Sequence, residues 1–307
     1  MRHHIKKTRF KAIFIVIFTC GFMFILTGCA EVKEIDMKKI KLEKVHVADI
    51  DVAYRVFGKG YPLVLIMGYS GTMDLWQPRV LAALARRYRV IIFDNRGMGE
   101  TPSSEKPFSI EQFADDTAGL LDALGIKQAH VLGWSMGTNI ALEFALRYPE
   151  KVNKLILYAA DCGGKEAIQP SAEVVQAMTD TSGTEEERGM RMLWVLFPEQ
   201  WLKANPDPGK YFPPVTESSS AENIRRQWDA MMKWAGAYSR LKQIRQRTLL
   251  ITGADDVSTP QANSLMLARE VPGARLVQIN GAGHGLMYQY PEEFSKTLLL
   301  FLEDRPI

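Results

Sequence analysis

The strongest restriction on the fold is a regular alternation of short apolar runs with segments long enough to be helices. The runs are rich in β-branched and aromatic residues and are bounded by Gly, Asp or Asn, which is typical of strands. The first five predicted strands span residues 52–57, 63–67, 90–93, 130–132 and 155–158. The segments between the later strands carry apolar residues at spacings of three and four, which predicts helices. Strands that alternate with helices indicate an α/β fold, with a mostly parallel central sheet flanked by helices.

This alternation is interrupted once, after Ala160. It resumes with two predicted strands and a final helix, at 248–252, 275–279 and 291–303. We therefore predict one core domain, made of residues 48–160 and 246–307, with an insertion of residues 161–245. An insertion before the last two strands would lie over the carboxyl edge of the sheet, where ligands bind in open α/β sheets. The insertion is interpreted as a helical cap, or lid.

The predicted lid is rich in Met and Trp, and it contains four of the six Trp of the chain. Side chains of these two types suit an adaptable apolar wall. We therefore predict a substrate pocket whose walls include Met178, Trp194 and Trp234 of the lid, with Trp134 of the core beneath them. The alternative is that the lid side chains form only the small core of the insertion.

The first 28 residues have the layout of an export signal. Basic residues within 2–11 precede an apolar run at 12–26, as in signal peptides. The run has 15 residues, whereas a membrane-spanning helix needs about 20. Without residues 1–28 the chain carries 33 basic and 35 acidic side chains, so a basic surface for nucleic acid is not expected. The alternative is an uncleaved N-terminal membrane helix.

The end of the apolar run, Leu26-Thr27-Gly28-Cys29, resembles the lipobox of bacterial lipoproteins. The resemblance implies that Cys29 is the first residue of the mature chain and carries lipid, including fatty acyl chains such as palmitate. Such chains would hold the protein at a membrane surface of the cell envelope. Residues 29–47 would then form the lipidated N-terminus and a charged tether.

Cysteine and histidine usage argues against a metal site. Cys162 is the one Cys of the predicted mature chain besides Cys29, so it has no disulfide partner. Metal sites need clustered ligands, whereas His46, His130 and His284 are far apart in sequence. We expect no metal and no other cofactor.

One segment, Gly133-Trp134-Ser135-Met136-Gly137, has the setting of a nucleophile elbow. It follows a predicted strand and precedes a predicted helix at 138–148. Gly at both flanks removes Cβ groups that would clash in so tight a turn, and Ser135 lies alone at the start of the helix. We therefore predict that Ser135 is a nucleophile. The alternative is an ordinary helix-capping serine.

A serine hydroxyl is a weak nucleophile and needs a base, which a third group orients. His284 is the one His after Ser135, in a Gly-rich loop that follows the last predicted strand, and it is the predicted base. Three carboxylates remain as candidates for the third group. Asp255 and Asp256 follow the penultimate predicted strand, and Asp161 follows the strand before it.

With these motifs the chain resembles the α/β-hydrolase-fold serine hydrolases, which include small esterases, lactonases and cofactor-free haloperoxidases. The resemblance covers about residues 48–304. In that family the catalytic Asp lies in a loop between a Gly and a following Pro, and Gly253 and Pro260 match these positions. The resemblance therefore implies that Asp256 is the acid, with Asp161 as the alternative because some members place the acid there.

The same resemblance implies an oxyanion hole made of the backbone amides of Tyr69 and Met136. The family usually has His-Gly just before the first of these amides, whereas this chain has Met67-Gly68. A second family motif contains Arg96, which we interpret as tying neighbouring loops together.

The predicted function is hydrolysis of a carboxylic ester or lactone with an apolar small-molecule substrate, through an acyl-enzyme intermediate. Perhydrolysis of the haloperoxidase type and hydrolysis of a carbon-carbon bond use nearly the same residues and stay open. A different class of function also stays open, namely a lipid-anchored module that binds a ligand without turnover. An intact set of Ser135, Asp256 and His284 favours the enzyme, since a binding module does not need all three.

Overall fold

The computed structural model describes residues 35–180, 182–214 and 216–307. Within them, eight strands form one sheet in the order β1-β2-β4-β3-β5-β6-β7-β8. The strands are β1 Glu43–Val47, β2 Ile50–Phe57, β3 Tyr61–Ile66, β4 Tyr88–Phe93, β5 Ala129–Trp134, β6 Val152–Tyr158, β7 Arg247–Gly253 and β8 Arg275–Ile279. Strand β3 pairs in parallel with β4 and with β5, and the pairs β5-β6, β6-β7 and β7-β8 are also parallel. Strand β2 pairs in antiparallel register with β1 and with β4. The predicted α/β fold with a mostly parallel sheet is confirmed.

Ten α-helices connect and cover these strands in the described part of the chain. Six belong to the core: α1 Pro78–Ala85, α2 Ile110–Ala123, α3 Met136–Arg147, α8 Gln261–Glu270, α9 Leu286–Gln289 and α10 Pro291–Leu302. Four lie between β6 and β7: α4 Ala172–Thr179, α5 Glu185–Leu196, α6 Glu199–Ala204 and α7 Ala221–Lys233. The segment between β6 and β7 is therefore helical, and we refer to α4 to α7 with their connections as the lid.

The sheet is buried on both faces. On β3, Leu63 and Leu65 pack into one apolar cluster with α1 and α10, while Val64 and Ile66 pack into the other with α2 and α3. All four side chains are fully buried. This explains the continuous apolar runs of the central strands, because parallel strands covered on both faces have no solvent side.

The N-terminal edge of the sheet departs from the prediction. Residues 43–47, which the sequence analysis placed in the tether, form β1 and pair with β2 in antiparallel register. The strand was missed because its outward positions are charged or polar, among them Lys44 and His46, so it has little apolar content. Charged side chains of this kind protect an edge strand from pairing with other chains.

The predicted signal peptide, residues 1–28, and Cys29 lie outside the described residues. In the part that is described, the longest helix is α2 with 14 residues. None of the described helices has the length and apolar character needed to cross a membrane.

Candidate active site

Ser135 lies at the turn between β5 and α3, with backbone angles of φ 55° and ψ −123°. Positive φ is uncommon for a residue other than Gly and costs energy unless the surroundings enforce it. Here the flanking groups do so: the Ser135 amide donates to the Tyr158 carbonyl at 2.9 Å, and its carbonyl accepts from the Thr138 amide at 2.7 Å. The strain presents the Ser135 side chain above the carboxyl edge of the sheet.

Glycines on both sides of Ser135 make this turn sterically feasible. A Cβ on Gly133 would lie 2.2 Å from the Gly137 carbonyl oxygen, and one on Gly137 would lie 2.2 Å from the Ile66 carbonyl oxygen. Both distances are far inside van der Waals contact with rigid backbone. The predicted reason for the paired glycines is therefore correct in physical terms, and it links the elbow to the end of β3.

His284 and Asp256 form a buried pair in the loops after β8 and β7. The Nδ1 atom of His284 lies 2.9 Å from Oδ2 of Asp256, and both side chains are almost fully buried. The other carboxylate oxygen of Asp256 accepts hydrogen bonds from the amides of Ser258 and Thr259, at 2.9 and 2.8 Å. A carboxylate held in this way fixes the imidazole with Nδ1 protonated, which leaves Nε2 as the basic nitrogen.

Ser135 and His284 line the same cavity. No hydrogen bond between described residues joins the Ser135 hydroxyl to the His284 ring. In sites without substrate, catalytic hydrogen bonds are often long and tighten only when substrate binds. The ring of Trp134, which stacks on Tyr158 at 5.7 Å, packs against the His284 ring at the same centroid distance.

The alternative acids have different surroundings. Asp161 uses one oxygen, Oδ1, to accept from the side chain of Asn139 at 3.0 Å and from the Gly163 amide at 2.7 Å. Burial raises the pKa of Asp161 above its usual range. Asp255 is exposed. Of the three candidates, Asp256 alone forms a hydrogen bond with His284.

The two amides predicted for the oxyanion hole are both near Ser135. Gly68 packs directly against Ser135, since a Cβ on Gly68 would lie 3.8 Å from the Ser135 hydroxyl oxygen, and Tyr69 follows it. The amides of Tyr69 and Met136 donate to no other group within the described residues. Unpaired backbone donors beside a nucleophile are what a developing oxyanion requires.

A large cavity of about 510 Å³ opens beside Ser135 and His284. This volume lies in the range of small-molecule sites. Core and lid contribute mainly apolar walls, among them Leu75, Met190, Leu193, Leu196, Phe212 and Tyr288. We call it the large cavity.

Two of the four predicted pocket residues line the large cavity, and two do not. Trp134 and Met178 are in its wall, whereas Trp194 and Trp234 are not. The prediction for Trp234 is wrong because its ring is buried in the core, where the indole nitrogen donates to Glu143 at 3.3 Å. Composition alone marked the lid as aromatic, but only the direction of each side chain decides whether it faces the core or the cavity.

Comparison with known proteins decides the family. Residues 61–291 match the family model described as alpha/beta hydrolase fold. The chain belongs to the alpha/beta hydrolase fold family.

Individual relatives agree with this assignment. A protein of Azorhizobium caulinodans named as a carbamate hydrolase, RutD, is 30% identical over 258 residues, covering 83% of this chain and 96% of the relative. The structure of an enol-lactonase from Burkholderia xenovorans LB400 has a TM-score of 0.73 at 25% identity, over 85% of this chain and 100% of that one. A thermophilic esterase from Thermogutta terrifontis has a TM-score of 0.72 at 25% identity, over 86% and 98%. The chain is a hydrolase.

The lid of this hydrolase holds the loop that carries Tyr69. Gln227 of α7 is fully buried, and its side-chain oxygen accepts from the amide of Ser70 at 2.7 Å. Ser70 has a φ of 57°, so its backbone needs such support. The ring of Trp228, next to Gln227, meets the Tyr69 ring edge-on at 5.4 Å. Sequence reasoning missed Gln227, since a polar residue on a lid helix carries no signal of this contact.

We expect Gln227→Leu to lower kcat about tenfold or more with a smaller change in KM. The substitution leaves the Ser70 amide without an acceptor, so the neighbouring Tyr69 amide loses its fixed position, and small misplacements of this kind are costly in rate. Steady-state kinetics on an ester substrate measure both constants. Gln227→Glu keeps an acceptor oxygen and should retain most of the kcat. If Gln227→Leu lowers only the melting temperature, Gln227 has no role in positioning Tyr69.

A second contact between lid and core consists of two carboxylates. Asp94, after β4, accepts from the Met73 and Glu100 amides, and Glu217 of the lid forms an ion pair with Arg55 at 2.8 Å. Both carboxylates pack against Gly99, where an added Cβ would lie 2.4 Å from Asp94 and 2.7 Å from Glu217. Burial, together with the nearby charge of Glu217, raises the pKa of Asp94 to about 8.

This pair makes the stability of the hydrolase depend on pH. An unfolded Asp ionises near pH 3.9, so between about pH 4 and 8 the folded chain holds a proton that the unfolded chain has lost. Folding stability contributed by Asp94 therefore falls as pH rises through this window. Glu217→Gln removes the like charge and offers Asp94 a hydrogen-bond donor, but it also removes the charge that pairs with Arg55. Loss of that ion pair affects both pH values alike, so the difference between them is the informative quantity. We expect the change in melting temperature caused by the substitution to be more favourable at pH 8 than at pH 5 by about 2–4 °C. An equal change at both pH values would contradict this account.

Arg96, in the loop after β4, has a structural role. Its buried guanidinium donates to Asp116 at 2.7 and 2.8 Å and to Asp49 at 2.9 Å. The group therefore joins the loop to α2 and to the turn between β1 and β2, which is the kind of role that the sequence suggested. No group of three or more His, Cys, Asp or Glu that could hold a metal occurs within residues 35–180, 182–214 and 216–307.

Proposed function

We propose that this hydrolase cleaves a carboxylic ester or lactone through an acyl-enzyme intermediate, with Ser135 as nucleophile, His284 as general base and acid, and Asp256 as the acid that orients His284. The observation that carries the proposal is the buried His284–Asp256 pair at 2.9 Å beside a strained serine elbow. An ordinary helix-capping serine needs neither the strain nor the pair.

The reaction follows from this arrangement. His284 Nε2 takes the proton of Ser135 as Oγ attacks the carbonyl carbon, and the amides of Tyr69 and Met136 receive the oxyanion. The bond to the alcohol oxygen then breaks, and His284 gives its proton to that oxygen. Water, activated by the same histidine, attacks the acyl carbon and releases Ser135. Asp256 stays ionised and stabilises the imidazolium between these steps.

The substrate is proposed to be uncharged and largely apolar. Among the described residues that line the large cavity, Glu186 is the one acidic side chain and none is Lys or Arg, so the cavity does not favour an anionic substrate. The other walls are mainly aliphatic, Met and aromatic. Two of the structurally similar proteins are named as an enol-lactonase and an esterase, in line with this chemistry. The Azorhizobium relative is named as a carbamate hydrolase; a wall of mainly apolar character offers few partners for the nitrogen of a carbamate, so an ester is preferred.

The proposal is tested with p-nitrophenyl esters of increasing acyl length, assayed with the full-length protein and its Ser135→Ala variant. Turnover that disappears in the variant would support serine esterase chemistry, and the length profile would size the acyl site. A carbamate of the same phenol serves as a comparison and should be a much poorer substrate. Folded protein that shows no turnover depending on Ser135 would favour a non-catalytic binding role or carbon-carbon hydrolysis.

We also propose that the protein is exported and anchored to a membrane of the cell envelope through lipid on Cys29. Support comes from the sequence of residues 1–29 alone. Growth of producing cells with an alkyne analogue of palmitate should label the wild-type protein and not the Cys29→Ala variant. Equal labelling of both proteins, or none of either, would contradict the anchor.

A further inference from the structure

A second, smaller cavity adjoins the large one at Ser135. Its volume is about 120 Å³, which is enough for several water molecules or a short acyl group. Its wall includes Ser135, Met136, Asn139, Asp161, Gln169, Ser258 and Thr259. We call it the Asp161 cavity. Ser135, Met178 and Ser258 line both cavities, so a substrate bonded to Ser135 can extend into each.

The chemistry of catalysis assigns one part of the substrate to each cavity. The leaving oxygen must come within hydrogen-bond reach of His284, because His284 protonates it. His284 lines the large cavity and is absent from the wall of the Asp161 cavity. The alcohol part therefore occupies the large cavity. The acyl chain, which is bonded to the other side of the carbonyl carbon, then extends toward Met136 and Asp161.

The Asp161 cavity offers hydrogen-bond acceptors that lack partners. The Asp161 carboxylate accepts two hydrogen bonds, one from the Asn139 side chain and one from the Gly163 amide, and both are made to Oδ1. Among the described residues, no donor reaches Oδ2 of Asp161 or the side-chain oxygen of Asn139, whose NH₂ group is committed to Asp161. A ligand that fits here displaces water from these oxygens, so it must bring a donor of its own to avoid leaving them unpaired.

We infer that the Asp161 cavity binds a short acyl group with a hydroxyl donor, so that the preferred substrates are esters of small hydroxy acids with larger apolar alcohols. This inference rests on the proposed ester chemistry at Ser135 and adds the orientation and class of the substrate. A hydroxyl is preferred over an ammonium group because desolvating a charge costs more than desolvating a neutral donor.

The test compares octyl lactate, octyl propanoate and octyl pyruvate, which differ in bearing a donor, no polar group or an acceptor on the acyl part. Wild-type protein should have at least a tenfold higher kcat/KM for the lactate than for the propanoate. A hydroxyl also makes the ester itself more reactive, so the decisive quantity is the change in this ratio between proteins. In Asp161→Ala we expect the ratio to fall to the level set by ester reactivity, several-fold or more below wild type.

Two further variants sharpen the result. Asp161→Asn can keep the acceptor for Gly163 while replacing Oδ2 by a donor, so the preference should move from lactate toward pyruvate. Asp255→Ala removes an exposed carboxylate that does not line the Asp161 cavity and should leave the lactate-to-propanoate ratio at the wild-type value. If Asp161→Ala does not fold, Asp161→Asn alone tests the role of Asp161.

Each contrary outcome has a distinct meaning. A lactate-to-propanoate ratio that is the same in wild type and both Asp161 variants would overturn the role of Asp161. Preference for octyl alaninate over octyl lactate would overturn the choice of hydroxyl over ammonium. Faster hydrolysis of ethyl decanoate than of octyl propanoate would overturn the orientation. If no ester is cleaved in a way that depends on Ser135, the proposed function itself fails.

Discussion

Replacement of Ser135 by Ala is expected to abolish ester hydrolysis, with a loss in kcat of at least about ten-thousand-fold. In hydrolases of the Ser-His-Asp type, removal of the nucleophile costs up to about a million-fold, and only residual catalysis by the oxyanion donors and binding remains. The measurement is steady-state turnover of a p-nitrophenyl ester with purified full-length protein. Because Ala at a φ of 55° suffers the same strain as Ser, the melting temperature should change little.

Retained melting temperature is the control for this experiment, since it separates loss of chemistry from loss of fold. Binding of a substrate analogue to the variant should also persist, because the walls of the large cavity are unchanged. Turnover in Ser135→Ala within tenfold of wild type would mean that another group attacks the substrate.

Asp256→Asn should give the second large effect, a fall in kcat of about ten-thousand-fold. The amide oxygen of Asn can still accept from the Ser258 and Thr259 amides. Its NH₂ group would then face Nδ1 of His284 and favour the wrong tautomer, in which Nε2 is protonated and cannot act as base. Kinetics over a range of pH measure the loss.

The matched comparison is Asp161→Asn, which changes a carboxylate that forms no hydrogen bond with His284. It should lower turnover of a p-nitrophenyl ester far less than Asp256→Asn does. The opposite order, with Asp161→Asn the more damaging substitution, would transfer the role of acid to Asp161 and remove the basis of the Asp161 cavity as an acyl site.

Much of this architecture could be predicted from sequence because its signals are local. The elbow is marked in the sequence by Gly133 and Gly137 on either side of Ser135, so five consecutive residues were enough to predict Ser135 as the nucleophile. His284 was predicted because no other His follows Ser135. The sheet was visible because buried parallel strands are apolar throughout.

The remaining features depend on contacts between distant segments, which a local pattern does not contain. Trp234 has the same residue type as a pocket wall but packs against Glu143. Strand β1 is defined by its pairing with β2 and not by its composition. Gln227 and Asp161 acquire their surroundings only when the lid meets the core. Substrate preference belongs to this second group, because the two cavities are formed between core and lid.

Covalent labelling is the measurement that tests the central claim most directly. The full-length protein is treated with an alkyl fluorophosphonate, which reacts with activated serines, and then digested for peptide mass spectrometry. We expect one phosphonate on the peptide that contains Ser135, with loss of ester turnover in proportion to labelling, and much slower labelling of Asp256→Asn. Complete loss of turnover without modification of Ser135, or full turnover after Ser135 is modified, would contradict the account.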